Sequence, residues 1–189
     1  MKYELTDETI EVYGSTLHRI KALKDIGTSV KKGDLGGFVE SERNLSQKGN
    51  CWVYDSAKVF GSAEVYGSAE VCGSAEVCDS AMVYDSAMVC GSAMVYGSAE
   101  VHGSATVCGS AEITKSTDVF TVTPIGSRND TTTFYKAKGG KIFVKCGCKN
   151  TDIDTWLGMV QATHGDNKHA KAYGLAAQIA RLQISGEEE

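Results

Sequence analysis

The chain has 189 residues, 42% of them hydrophobic, a formal net charge of -5 and only four arginines, Arg19, Arg43, Arg128 and Arg181. That length and apolar content suffice for a packed core, whereas the acidic balance argues against broad contact with nucleic acid or an anionic membrane, both of which need a Lys/Arg surplus. It has no run of eighteen apolar residues and no basic-then-apolar leader over Met1–Glu8, so a cytoplasmic protein is expected, and its seven cysteines read as free thiols in a reducing compartment.

Residues 1–50 read as an N-terminal β cap. Val39, Leu45 and Cys51 already follow a period of six, in register with Ala57, so this segment is expected to cover the open strand edges of the structure that follows. Gly33, Gly36 and Gly37 suit turns, with a ligand cradle as the rarer use.

Residues 51–120 repeat. Val recurs at every sixth position from Val53 to Val107, followed by Ile113 and Val119, which makes twelve steps without a slip. Four residues after each comes a small residue, Ala57 through Ala111 and then Thr117, with Ser before it at every step. A helix needs apolar residues every three to four positions, so short strands with turns between them fit better. Gly61, Gly67, Gly73, Gly91, Gly97, Gly103 and Gly109, with Asp55, Asp79 and Asp85, supply corner chemistry. The unit resembles the hexapeptide repeat of left-handed parallel β-helices. That resemblance implies three hexapeptides per triangular coil, residues eighteen apart stacked, and about four coils from the twelve steps.

With Val inside, the next residue points outward. One face then carries Tyr54, Cys72, Cys90 and Cys108, the second Phe60, Cys78, Tyr96 and Thr114, and the third Tyr66, Tyr84, His102 and Phe120. Apolar faces of this kind usually mark contacts, so Tyr54, Phe60, Tyr66, Tyr84, Tyr96 and Phe120 are expected to form an oligomer interface, and the resemblance implies a homotrimer. The plainer alternative is a set of side-chain ladders within one chain. Cysteines in a line do not converge on a tetrahedral metal centre.

Residues 121–189 form a small α+β module. An alternating segment Phe134–Lys138, a Gly139-Gly140 turn and Lys141–Cys146 predict a hairpin. Two helices are predicted next, over 152–162 with Trp156, Met159 and Val160 on one face, and over 168–182 with Tyr173, Ala176, Ile179 and Ala180 inward. Gly165 with Asp166 reads as a helix stop followed by a new N-cap, and Glu187 to Glu189 as a solvated tail. The fold class is thus mainly β: a parallel β-helix with an N-terminal β cap and an α+β module ending in a helix hairpin.

The segments Gly33–Ser41, Asn44-Leu45-Ser46 and Cys51–Ala57 resemble the lead-in of bacterial and prophage hexapeptide-repeat proteins, some of them labelled acyltransferases. Gly126–Thr131, Cys146-Gly147-Cys148 and Thr163–Asn167 resemble a C-terminal module of phage-borne hexapeptide proteins. Members of the acyltransferase group need a histidine general base, often beside a loop that interrupts the coils. The only histidine in these coils is His102 and no loop interrupts them, so acyl transfer at His102 is the alternative to a non-enzymatic protein, and a purely structural scaffold is the second alternative.

The most loaded segment is Ser127-Arg128-Asn129-Asp130-Thr131-Thr132. Arg offers a planar fork for phosphate, and the hydroxyl and amide side chains complete a shell, so a small anionic or nucleotide-like ligand is expected there. The competing reading is a self-capping turn in which Arg128 pairs with Asp130. Cys146, Cys148, His164 and His169 are ligand types for zinc at a spacing that matches no usual motif. No metal and no cofactor is expected.

Overall fold

A computed structural model describes residues 1–185; the Glu187–Glu189 segment lies outside them. The repeat builds a parallel β-solenoid. Eleven two-residue strands, β4 (Trp52–Val53) through β14 (Glu112–Ile113), recur every six residues and close about four coils with three faces. Val53, Val71, Val89 and Val107 pair in register as one column, and every inward Val of the repeat is at most 1% exposed. The Ala residues at the corners, Ala57 to Ala111, are buried beside them. Each coil bonds the next, as in Tyr54 N–H to Val71 O at 2.8 Å and Cys72 N–H to Val89 O at 2.9 Å, so the interior leaves its backbone groups paired.

The corners need left-handed backbone, which glycine adopts freely. Where Asp stands instead, at Asp55, Asp79 and Asp85 with φ of 54°, 59° and 59°, its carboxylate accepts from the N–H of the corner glycine one coil on. The distances are 3.1 Å from Gly73, 3.0 Å from Gly97 and 3.1 Å from Gly103.

At the N-terminal end, strands β1 (Tyr3–Val12) and β2 (Ser15–Ala22) form a hairpin, and β3 (Leu35–Val39) joins it to one face of the solenoid in parallel with β5 (Lys58–Val59). Val39 pairs with Val59 and Leu45 with Val65. These residues therefore sit below the Val columns, not in register with Ala57 as the period suggests. The cause is a corner two residues longer between Leu45 and Val53, where Gly49 has φ +68° and a Cβ would fall 2.2 Å from the Gly67 carbonyl oxygen. Tyr3 plugs this end: its ring meets Trp52 edge-on at 6.2 Å and its hydroxyl donates to Leu45 O at 2.6 Å.

At the other end the twelfth step fails. The chain leaves the solenoid after Ile113, and Val119 opens an antiparallel strand, β15 (Val119–Ile125). The corner position holds Lys115, for which left-handed backbone is costly, and it takes an extended φ of -147° instead. Buried Asp118 instead accepts from the Thr114 N–H at 2.9 Å, the Thr114 hydroxyl at 2.8 Å and the Lys115 N–H at 3.1 Å. Tyr135 plugs the solenoid here, fully buried, its single O–H within hydrogen-bond reach of both Cys108 O, at 3.0 Å, and the Asn150 side chain.

The C-terminal module is an antiparallel sheet in the order β15, β16 (Asp130–Ala137), β17 (Lys141–Cys146), β18 (Lys149–Asp152), with helices α1 (Ile153–His164) and α2 (Lys168–Ser185) on one side. Phe134, Val144, Trp156, Tyr173 and Ala180 form its core. Met159 and Ile179, expected inside, are 41% and 50% exposed. The inward stripes run through Ile153, Trp156 and Val160 and through Tyr173, Ala176, Ala177, Ala180 and Ile184, which turns both residues out. Gly165 ends α1, but the cap of α2 is Asn167, whose side-chain oxygen accepts from the His169 and Ala170 N–H groups, and not Asp166.

Candidate functional site

The Ser127–Thr132 segment is a turn and the start of a strand. Gly126–Asn129 form the β15–β16 turn, with Asn129 at φ 49°, and Ile125 pairs with Asp130 across it. Strand alternation then splits the candidate residues. Thr132 is buried on the helix side, its hydroxyl donating to Cys146 Sγ at 3.3 Å. Thr131 and Thr133 lie on the opposite face, toward the last coil, where the Thr106 N–H donates to Thr133 Oγ1 at 3.1 Å.

Between that face and the coil runs a groove of about 340 Å³ lined by Ser104, Thr106, Asp130, Thr131, Thr133, Lys145 and Gly147. Four hydroxyls and one ammonium face it. Arg128 is not part of that lining; its guanidinium lies against Gly147, where a Cβ would come within 2.9 Å of Nη1. Glycine at 147 is what lets the guanidinium lie there. Among the described residues neither Arg128 nor Lys145 makes an ion pair; the Arg128–Asp130 pair of the self-capping alternative does not form. Ser127 and Asn129 are exposed on the turn.

Behind the groove lies the column Cys72, Cys90, Cys108. The Cys108 thiol is pulled down to about 6, first by its hydrogen bond with Cys90 and then by Tyr135 and the Lys145 charge, with burial opposing. Cys90 moves the other way, its proton held by the same bond and by burial.

Three segments far apart in sequence meet around Tyr173. A Cβ on Gly126 would overlap its hydroxyl at 1.8 Å, Cys146 Sγ lies 3.9 Å from that hydroxyl, and the His164 ring is 5.9 Å from the Tyr173 ring. Burial raises Tyr173 to about 12, with the neighbouring Cys146 adding to the rise, so the phenol keeps its proton. Cys146 and Cys148 do not share a strand face: Cys148 sits exposed in the turn after β17. His164 and His169 stack at 5.8 Å, but among the described residues no three His, Cys, Asp or Glu side chains converge as metal ligands.

On the solenoid, Tyr66 stacks on Tyr84 at 4.9 Å and 3°, and Tyr84 on His102 at 5.2 Å and 15°. The Tyr84, Tyr96 and Tyr54 hydroxyls donate to Glu100, Glu112 and Glu70 one coil on. Phe60 is 8% exposed, covered by Leu17 and Phe38 of the same chain, so it needs no second subunit to be dry. Phe120 turns from the column toward Phe134 at 5.8 Å. His102 is exposed, and among the described residues no group bonds either of its ring nitrogens.

Sequence reasoning missed Lys145, Thr133, Thr106, Ser104 and Tyr173. Lys145 could have been found, because in β17 it alternates with the buried Val144 and so must face away from the helices. Ser104 and Thr106 could not, since nearly every corner has a Ser.

No family model matches the chain, and no curated protein matches it. The fold by itself defines a parallel β-solenoid protein that carries an antiparallel sheet and a helix pair at one end. No helix among the described residues is long and apolar enough to cross a membrane.

Proposed function

We propose that the protein is a non-enzymatic binding protein that sequesters a small phosphate-bearing, nucleotide-like ligand in the groove between the last coil and the C-terminal sheet. The observation that carries this reading is Lys145, without a carboxylate partner, among the hydroxyls of Ser104, Thr106, Thr131 and Thr133, with Arg128, likewise unpaired, against Gly147 of the same lining. A guanidinium grips phosphate oxygens bidentately, a lysine supplies a point charge, and hydroxyls donate to the remaining oxygens. Asp130 on the same wall suits a sugar hydroxyl or an amino group. Sequestration, as opposed to turnover, is supported by the unsupported imidazole of His102, which has no neighbour to fix its tautomer as a general base requires. In this reading the protein is cytoplasmic and of phage or prophage origin, as its likeness to prophage hexapeptide-repeat proteins implies.

Calorimetric titration with mononucleotides, cyclic dinucleotides and sugar nucleotides tests the reading. At least one should bind, and Arg128→Ala should weaken it about ten- to a hundredfold, the loss of one or two charge-assisted hydrogen bonds. No heat from any member of the panel would remove the proposal and leave the scaffold reading. For assembly we propose a homotrimer along the solenoid faces. Sedimentation should then show a trimer that Tyr66→Lys with Tyr84→Lys dissociates, whereas a monomeric unmodified protein would refute it.

A further inference from the structure

The Tyr66–Tyr84–His102 column has an open fourth position. The repeat calls for Phe120 above His102, but Lys115 is extended and does not form the corner, the chain turns at Ser116–Asp118, and the Phe120 ring packs toward Phe134 instead. What stands over His102 is a cleft of about 270 Å³. Its floor is Glu100 and His102, and its walls are Ser116, Phe120, Thr121 and Gln183. The cleft lies on the face built by β6 (Glu64–Val65), β9 (Met82–Val83) and β12 (Glu100–Val101), whereas the Lys145 groove abuts the face of β13 (Thr106–Val107).

Two features mark this cleft as more than a gap. The rings below it are already spaced and tilted as a stack, so the upper surface of the His102 imidazole is a flat, exposed platform. The polar groups around it also have unused capacity. Thr121 Oγ1 is buried with no hydrogen-bond partner, an uncommon and costly state for a hydroxyl. Glu100 uses Oε2 for the Tyr84 hydroxyl, leaving Oε1, and Gln183 uses its amide N–H on Val119 O, leaving its carbonyl. The edge of the cleft is therefore rich in acceptors. Drug-sized ligands fill pockets of about 300–1,000 Å³, so this volume suits a single ring system.

We propose that this cleft is a binding site for a planar, amino-bearing heteroaromatic ring of the nucleobase class. The ring stacks on His102 as the fourth member of the column and donates its N–H groups to Glu100, Gln183 and Thr121. Stacking of a base on an aromatic side chain tolerates many rings, and the carboxylate selects among them for amino and ring N–H donors. The site is independent of the phosphate groove.

Nucleosides without phosphate test it, because they draw nothing from Arg128 or Lys145. In titrations with guanosine, adenosine, cytidine and uridine followed by NMR, the amino-bearing nucleosides should bind more tightly than uridine. His102→Ala should weaken them about ten- to a hundredfold, the range for loss of one base–aromatic stack. His102→Trp, which keeps a flat platform without an imidazole, should retain binding, and Glu100→Gln should erase the preference over uridine. Ser127→Ala, on the exposed turn away from this cleft, should leave nucleoside binding as it is. His102 is exposed in the chain and the cleft lies past the end of the Tyr66–Tyr84 pair, so assembly through that pair leaves the cleft open and the His102 variants should melt as the unmodified protein does. Absence of saturable binding by all four nucleosides, or equal affinity in His102→Ala, would overturn the proposal.

Discussion

In the solenoid an outward side chain meets the one at the same repeat position a coil away, whereas in the C-terminal module the polar side chains meet whatever the tertiary fold brings them. Lys58 pairs with Glu76 at 2.8 Å, Tyr66 lies on Tyr84, and corner aspartates bond corner glycines, all between coils in register. Arg128 and Lys145, by contrast, stand beside a hydroxyl-lined groove with no counter-charge within ion-pair distance among the described residues. A repeat satisfies its own polar groups by translation, so unspent binding capacity collects where translation stops. Both proposed sites lie there, at the junction of the last coil and the sheet that replaces the next one.

The comparison can be broken most violently inside the repeat. Val89→Asp puts a carboxylate at a fully buried position with no partner in reach. The cost is several kcal/mol, above the range of ordinary substitutions, and loss of cooperative melting by circular dichroism should follow. A variant that melts normally would contradict a close-packed Val column.

A smaller effect is expected at the junction. Tyr135→Phe keeps the ring that plugs the solenoid but removes the hydroxyl bonded to Cys108 O and Asn150. About 1–3 kcal/mol is at stake, since the partners are buried, and the melting midpoint in urea should fall accordingly. No change would mean that the plug works by ring packing alone.

The opposite end gives the smallest and most pH-sensitive effect. Lys2 is buried, donating to Cys51 O at 2.8 Å and Cys51 Sγ at 3.1 Å. Burial pushes its ammonium below the usual 10.5, with Cys51 only partly compensating. The folded state thus binds this proton less tightly than the unfolded chain. Below 10.5 the unfolded chain holds more protons, so this group makes stability rise as pH rises toward that value. Lys2→Met should flatten the rise in melting temperature as the pH climbs toward 10.5. An unchanged slope would show that Lys2 does not titrate differently on folding.

How much of this was legible follows from the same contrast. The Val period fixes the columns, because one residue of slip would expose every apolar side chain. The end of the solenoid was also written in the sequence, at Lys115, the first corner without Gly or Asp, but Val119 and Phe120 continue the pattern and mask it. At the start, two extra residues around Gly49 shift Val39 and Leu45 under the Val columns, a change that the period alone does not reveal. In the site, Arg128 could be singled out by chemistry in a polar turn. Thr132 belongs to the same polar run by sequence, yet strand alternation turns it inward, and the meeting of Gly126, Cys146 and His164 at Tyr173 is a tertiary fact with no local signal.

The central claim is that binding resides in Arg128 and Lys145 while stability resides in the repeat. Native mass spectrometry of the protein purified from cells, compared with the double variant Arg128→Ala, Lys145→Ala, tests it most directly. The account predicts a phosphate-bearing small-molecule adduct on the unmodified protein, its loss from the variant, and the same melting temperature for both. An adduct retained by the variant, or none on either protein together with a lowered melting temperature in the variant, would contradict it.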